Sequence, residues 1–141
     1  MDEFADPETI VRLLSAPGTW AVVGCSPSPA RDSHEIAALL QRRGARVIPV
    51  NPVAVGTRIL GEPVRGSLAE ITEPVDVVDI FRRADQAGAH VDEAIAIGAR
   101  AVWMQLGVID ADAAARARAA GLDVVMDRCP AVELPRIARR R

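Results

Sequence analysis

The chain of 141 residues contains no lysine and no tyrosine, and aromatic side chains make up only 3% of it. All 17 basic residues are arginine, which excludes Schiff-base chemistry and a phosphate-binding lysine of the Walker type. With so few aromatic residues, valine, alanine, leucine and isoleucine must build the core.

Cysteine and histidine are also scarce. Cys25 and Cys129 lie far apart, and neither they nor the two histidines have the spacing of a metal site. His34 and His90 have no serine or aspartate at a spacing that indicates a catalytic group. We therefore expect no metal ion and no catalytic residue, since catalysis requires a metal or a base beside a nucleophile.

Long apolar runs and a strong charge of one sign are missing as well. No run approaches the roughly 18 residues that span a membrane, and no charged-then-apolar leader opens the chain. The net charge of −2 gives no general reason to bind nucleic acid. We expect a cytoplasmic protein that binds neither membrane nor nucleic acid.

Short apolar runs and helix-like stretches do alternate along the chain, which predicts one domain over residues 1–141. The apolar runs are continuous, as in parallel strands that are covered on both faces. The pattern predicts an α/β fold with a single doubly wound, mainly parallel sheet and helices on both faces. The predicted strands lie at 20–24, 46–50, 75–81, 101–106 and 122–126, and the predicted helices at 32–43, 83–97 and 110–119.

Both ends of the chain have their own pattern. Asp6-Pro7-Glu8 predicts the start of a helix, and Pro17-Gly18 its end. We therefore expect a leader helix within residues 1–18 that packs on the domain, and a frayed basic tail at residues 136–141.

The segment 51–73 is rich in glycine and proline and is predicted to be mostly loop, with an extra strand near 63–64 and a helical turn near 67–71. Elsewhere the helix ends agree with the alternation. Glycines at 44, 98 and 121 follow the helix-like stretches as left-handed caps would. Asp32 and Glu35 are interpreted as a capping box.

The exit of the first strand carries the strongest functional signal, because open α/β sheets bind ligands at the carboxyl ends of their strands. Gly24 would let the backbone approach a phosphate closely. Ser26 and Ser33 offer hydroxyl groups, and Arg31 offers a bidentate fork. Cys25 lies near a helix N-terminus, and whether its thiol is reactive stays open.

Two further strand exits complete the candidate site. Asn51-Pro52 stands where an NAD-binding fold usually has an acidic residue for the ribose diol, which weakens an NAD assignment. Arg58 would suit an NADP phosphate, but the first loop lacks the Gly-x-Gly-x-x-Gly spacing. Phe81 would pack on a base, and Arg82 would neutralise a phosphate.

Several segments together are similar to a known family. The chain resembles the small stand-alone CoA-binding proteins, which are similar to the CoA-binding domain of succinyl-CoA synthetase alpha subunits without the rest of that enzyme. The resemblance rests on Val-Val-Gly-Cys-Ser-Pro-Ser-Pro-Ala-Arg-Asp-Ser (22–33), Ile-Pro-Val-Asn-Pro (48–52), Asp-Val-Val-Asp-Ile-Phe-Arg-Arg (76–83), Val-Trp-Met-Gln-Leu-Gly-Val (102–108) and Val-Met-Asp-Arg-Cys-Pro (125–130).

The resemblance implies a Rossmann-like fold that binds CoA or an acyl-CoA. It implies that the loop from Gly24 to Arg31, with Cys25, Ser26 and Ser33, holds the phosphate-bearing part. Asn51-Pro52 would then border the adenosine, with Phe81-Arg82 as the opposite wall. No histidine matches the synthetase's phosphorylated histidine, so ligase activity is not carried over.

Non-covalent binding of CoA without catalysis is therefore the preferred hypothesis. An NADP-dependent oxidoreductase, an acyl-group handler that uses Cys25, and a regulatory or scaffold module with a vestigial nucleotide site stay open. So do a protein partner and a homo-oligomer.

Overall fold

The computed structural model describes residues 4–16 and 18–140, and a five-stranded parallel sheet lies at its centre. The strands of this sheet are β1 (Thr19–Val23), β2 (Arg46–Val50), β5 (Val77–Ile80), β6 (Ala101–Met104) and β7 (Asp123–Val125). Their order is β2-β1-β5-β6-β7, and every pair is parallel. The predicted α/β fold with a doubly wound parallel sheet is confirmed.

Helices cover both faces of this sheet. They are α1 (Pro7–Ser15), α2 (Asp32–Arg42), α3 (Ala84–Ala96), α4 (Ala111–Ala119) and α5 (Pro130–Arg140). Helices α3 and α4 pack on the face that carries Ala21, Val23 and Val78, while α1, α2 and α5 pack on the face of Trp20 and Val22. Burial on both faces explains why the strand sequences are apolar without alternation.

The segment between β2 and β5 contains more structure than the sequence indicated. A two-stranded antiparallel hairpin is formed by β3 (Arg58–Ile59) and β4 (Glu62–Pro63), and a 3-10 turn follows at Leu68–Glu70. The sequence located β4 and the turn to within a residue or two but missed β3. A strand of two residues, flanked by Thr57 and Leu60, is too short to show a period.

The ends of the helices confirm one prediction and correct another. The glycines at 44, 98 and 121 all have positive φ values, as left-handed caps do. The prediction of a capping box at Asp32 and Glu35 is wrong, because Arg31 is the N-cap of α2 and its side chain makes no capping hydrogen bond. Both acids lie in the first turn, where they still favour the positive end of the helix dipole.

The first and last helices lie side by side on one face of the sheet. The frayed tail is not seen for residues 136–140, which continue α5 because Ile137 packs against the core cluster and Arg136 pairs with Glu133 at 3.2 Å. Residues 1–3, Pro17 and Arg141 lie outside the described residues. Within the described part of the chain, no helix is long and apolar enough to cross a membrane.

The strand order creates one crevice at the carboxyl edge of the sheet. From β1 the chain moves outward to β2, and from β2 it returns past β1 to β5. The connections that leave β1 and β5 therefore diverge in opposite directions. In open α/β sheets this point of divergence is where ligands bind.

Candidate functional site

Gly24 is the residue at which the exits of three strands meet. Its amide donates to the Val50 carbonyl oxygen of β2 at 2.9 Å, and its φ is +81°. A Cβ at this position would lie 2.5 Å from the Phe81 carbonyl oxygen and 3.2 Å from Cδ of Arg82. Only glycine fits, because both the φ value and the close approach of the β5 backbone exclude a side chain.

A cleft of about 540 Å³ opens beside Gly24, between the first loop and the start of α2. Six of the nine predicted site residues line it together. The lining residues are Gly24, Ser26, Ala30, Arg31, Asp32, Ser33, Asn51 and Phe81. The cleft thus has the backbone amides of a helix N-terminus at one wall, which favours an anionic ligand.

Arg31 supplies the cleft with a cation. Its side chain is exposed, and within residues 4–16 and 18–140 it forms no ion pair. The guanidinium is therefore available for a bidentate contact with a phosphate. Asp32 beside it lowers the net positive charge of this wall, so the helix amides and Arg31 must act together.

Hydrogen bonds within the first loop give it a fixed shape. The Ser26 amide donates to Oγ of the buried Ser33 at 2.9 Å, and the Ser28 amide donates to Oγ of Ser26 at 3.1 Å. Nδ1 of His34 lies 3.0 Å from the Ser26 carbonyl oxygen. Ser33 is thus a positioning residue, and so is His34, for which the sequence analysis found only the lack of a catalytic partner. Its place near the helix N-terminus was the available signal.

Asn51 connects the first loop to the loop after β2. Its Nδ2 donates to the Cys25 carbonyl oxygen at 2.9 Å, and its Oδ1 accepts from the Val53 amide at 3.0 Å. Both ends of the amide are used inside the protein. Asn51 therefore shapes the wall of the cleft through the loops that it joins.

The side chain of Cys25 lies outside the cleft, contrary to its place among the predicted ligand-binding residues. It is fully buried on the face of Trp20 and Val22. Burial, helped by the carboxyl group of Asp79, raises the pKa of this thiol to about 11. A thiol that is buried and protonated at neutral pH is a packing group, which counts against an acyl-transfer role for Cys25.

A second cleft of about 300 Å³ lies on the other side of Phe81 and includes Gln105, Leu106 and Cys129. Nε2 of Gln105 donates to Oδ1 of the wholly buried Asp79 at 2.6 Å. Oδ2 of Asp79 has no hydrogen-bond partner in the described part of the chain. Burial raises the pKa of Asp79 to about 8, while the Gln105 hydrogen bond opposes this rise.

A third cavity of about 170 Å³ shares Gly24 with the first cleft. It contains the remaining two predicted residues, Pro52 and Arg82, which the first cleft does not include. Its full lining is Val23, Gly24, Val50, Pro52, Gly66, Ser67, Leu68, Arg82, His90 and Glu93. His90 and Glu93 were not predicted as site residues, because nothing in the sequence shows that this face of α3 borders the crevice.

A separate cleft of about 430 Å³ lies between α1 and α5, away from the strand exits, and includes Ile10, Arg128 and Arg136. The sequence did not predict it. Arg58, considered for an NADP phosphate, bonds the Gly61 carbonyl oxygen within its hairpin at 2.9 Å and lines none of these clefts. Among the described residues, no group of three or more His, Cys, Asp or Glu side chains could hold a metal ion.

Comparisons with known proteins cover most of the chain. A family model described as a CoA binding domain matches residues 18–135. An uncharacterised protein of Bacillus subtilis (strain 168), YneT, is 37% identical over 120 residues, which cover 85% of this chain and 87% of that protein. A hypothetical protein from Pyrococcus horikoshii OT3 has a similar structure, with a TM-score of 0.87, 32% identity and coverage of 96% of this chain and 94% of that one.

A more distant likeness extends to a protein solved with a dinucleotide. RSP, crystallised in complex with β-NADH, is 18% identical with a TM-score of 0.58, and the match covers 94% of this chain and 63% of RSP. At this identity the likeness concerns the fold alone.

Proposed function

The chain belongs to the CoA-binding domain family, and we propose that its carboxyl edge binds coenzyme A or an acyl-CoA non-covalently. The cleft beside Gly24 is the observation that carries the proposal. There the N-terminus of α2 and Arg31, which forms no ion pair with the residues that the structure describes, line one open space of about 540 Å³. A phosphate-bearing ligand would satisfy both.

The loop after β2 favours CoA over NAD. A dinucleotide-binding fold usually places a carboxylate there for the ribose diol. This chain has Asn51, whose amide is already bonded to Cys25 and Val53. CoA carries a phosphate on its ribose and needs no such carboxylate, so the missing acid is no obstacle to it.

The proposal includes no chemistry on the bound molecule. Cys25 is buried with a raised pKa, and His34 is bonded to the backbone of the first loop. Neither has the arrangement of an activated nucleophile and its base. Ser26, Arg31, Phe81 and Arg82 are proposed as the contacting residues, with Gly24 giving close access to the backbone.

The wider setting is also part of the proposal. Cys25 and Cys129 are free cysteines, which suits the cytoplasm, where thiols stay reduced. The ligand is a small molecule, and a protein partner or a second copy of the chain would use another surface. The similarity to the CoA-binding domain of succinyl-CoA synthetase alpha subunits remains a prediction from the sequence.

A thermal-unfolding series tests the proposal. The protein is melted with CoA, 3′-dephospho-CoA, acetyl-CoA, NAD and NADP, each over a range of concentrations. A ligand at about 100 times its Kd adds roughly 2.7 kcal/mol to the free energy of unfolding. We expect stabilisation by CoA or acetyl-CoA and less by NAD. Stabilisation by NADP without any by CoA would contradict the proposal and support the oxidoreductase alternative.

A further inference from the structure

The third cavity contains a hydrogen-bonded pair of side chains, His90 and Glu93, that the proposed function leaves unused. Nδ1 of His90 lies 2.7 Å from Oε1 of Glu93, one turn further along α3. Both side chains line the cavity of about 170 Å³, and both are partly exposed, at 26% and 37%. The pair is therefore accessible to a molecule that enters beside Gly24.

The walls of this cavity suit an aromatic ring system that carries polar groups at its edge. Val23, Val50 and Leu68 are buried core residues, and Pro52 also lines the cavity. A volume of about 170 Å³ fits one ring system better than a base with its sugar and phosphates. Mostly apolar walls with a few placed polar groups are typical of a ligand pocket.

The lining separates this cavity from the first cleft, because buried apolar side chains form much of its walls whereas mostly polar residues line the first cleft. The Glu93 carboxylate repels an anion at its own end of the cavity, so a phosphate is better placed in the first cleft beside Arg31. Arg82 lines the same cavity and forms no ion pair within the described residues. Its planar guanidinium can stack on a ring. The two compartments on either side of Gly24 are thus suited to different parts of a nucleotide.

We propose that Glu93, oriented by His90, determines base specificity by accepting a hydrogen bond from the exocyclic amino group of adenine. The inference rests on the proposed binding of a CoA nucleotide. An ionised carboxylate only accepts hydrogen bonds. Adenine presents an amino donor at its 6-position, whereas a 6-oxo purine presents an acceptor there. His90 occupies Oε1 and leaves Oε2 without a partner among the described residues.

The test compares CoA with its deaminated analogue, in which hypoxanthine replaces adenine. Binding of both is measured by calorimetry for the wild type, Glu93→Ala, Glu93→Gln and Asp92→Asn. We expect the wild type to prefer CoA by about tenfold or more, the size of one hydrogen bond to a charged group. Glu93→Ala should lose this preference. Glu93→Gln should shift it towards the analogue, because an amide can donate to a 6-oxo group.

Asp92→Asn is the matched control, since it removes one negative charge from the neighbouring position of α3. Asp92 bonds Arg116 of α4 at 2.9 Å and does not line the cavity, so the preference for CoA should persist. Equal binding of both ligands by the wild type would overturn the inference and leave the proposed function standing. If Glu93→Ala kept the full preference for CoA over the analogue, the inference would also be overturned and the proposed function would stand. Binding of neither ligand by the wild type would overturn both.

Discussion

The two edges of the parallel sheet differ in whether the charged side chains named below have partners within the described part of the protein. At the amino edge, charged groups have partners within the protein. Oδ2 of Asp76 accepts from the Thr19 amide at 2.8 Å, and Arg46 pairs with Glu73 at 3.0 Å. These contacts hold the starts of neighbouring strands and need no ligand.

At the carboxyl edge, two arginines stand beside the crevice without ion pairs in the described part of the chain. Arg31 and Arg82 lie on opposite sides of Gly24, in the first cleft and the third cavity. Side chains paired inside the protein stabilise the fold, whereas cations that have no ion pair beside a cavity favour the binding of an anion. This difference is the reason for which we propose the ligand site at the carboxyl edge.

The largest expected effect comes from Gly24→Ala. The new Cβ would clash with the Phe81 carbonyl oxygen at 2.5 Å, a backbone atom that cannot swing away. We expect a loss of about 3 kcal/mol or more in the free energy of unfolding, measured in urea.

Gly61→Ala is the matched control for Gly24→Ala. Its φ of +82° is almost the same, but no atom lies within 4 Å of the added Cβ. It should lose only about 1 kcal/mol, the strain of a left-handed residue. Equal losses at both positions would show that the strand exits are not tightly joined at Gly24.

The next effect concerns Asp79, which is buried within β5 and has one oxygen that lacks a hydrogen-bond partner among the described residues. Its raised pKa means that the folded state holds a proton that the unfolded state releases near pH 4. Stability should therefore fall as the pH rises from about 4 to about 8. Asp79→Asn should remove this fall, and at pH 8 it should be more stable than the wild type by about 2 kcal/mol.

Urea unfolding at pH 5, 7 and 8 measures this difference between Asp79→Asn and the wild type. A difference that stays constant over this range would show that Asp79 is ionised in the folded protein. It would then contradict the description of the carboxyl as a buried, largely protonated group.

A smaller effect is expected when one arginine at each edge of the sheet is replaced by alanine. Arg31→Ala should weaken CoA binding at least tenfold, or about 1.4 kcal/mol, with little change in stability. Arg46→Ala should lower stability slightly, since exposed ion pairs contribute about 0–1 kcal/mol, and leave the affinity for CoA unchanged. Calorimetry and thermal melts on both variants check this. An unchanged affinity in Arg31→Ala would remove Arg31 from the site.

The smallest expected effect is a difference in the rate at which the two cysteines are alkylated. Iodoacetamide at pH 8 should modify Cys129, which is partly exposed and lines the second cleft, before Cys25. Cys25 is fully buried with a pKa of about 11, so it should react only on unfolding. Mass spectrometry of partially modified protein would reveal the order. Early modification of Cys25 would restore it as a candidate site residue.

The sequence predicted the fold well because the parallel strands are continuous apolar runs bounded by glycines. The run 46–50 matches β2 at both ends. The strand at 75–81 is shorter in the structure, at Val77–Ile80. Val75 is buried outside the strand, although its carbonyl oxygen accepts from the Arg100 amide at 3.3 Å, and composition cannot separate such a residue from a strand residue.

The candidate site was predicted in part, because strand exits can be read from the sequence but the directions of side chains in loops cannot. Cys25 follows a glycine with positive φ, which returns its side chain to the face of Trp20 and Val22. Regular alternation would have placed it on the opposite face. His90 and Glu93 were not predicted as site residues. They line a cavity only because α3 lies close to residues 66–68, and this depends on tertiary packing.

The central claim is that CoA binds at the carboxyl edge between β1 and β5. Two-dimensional amide NMR of the isotopically labelled protein, titrated with CoA, tests it most directly. We predict that the largest shift changes fall on Gly24, Ser26, Arg31, Ser33 and Arg82, around the first cleft and the third cavity. Changes confined to the cleft between α1 and α5, at Ile10 and Arg136, would contradict the account.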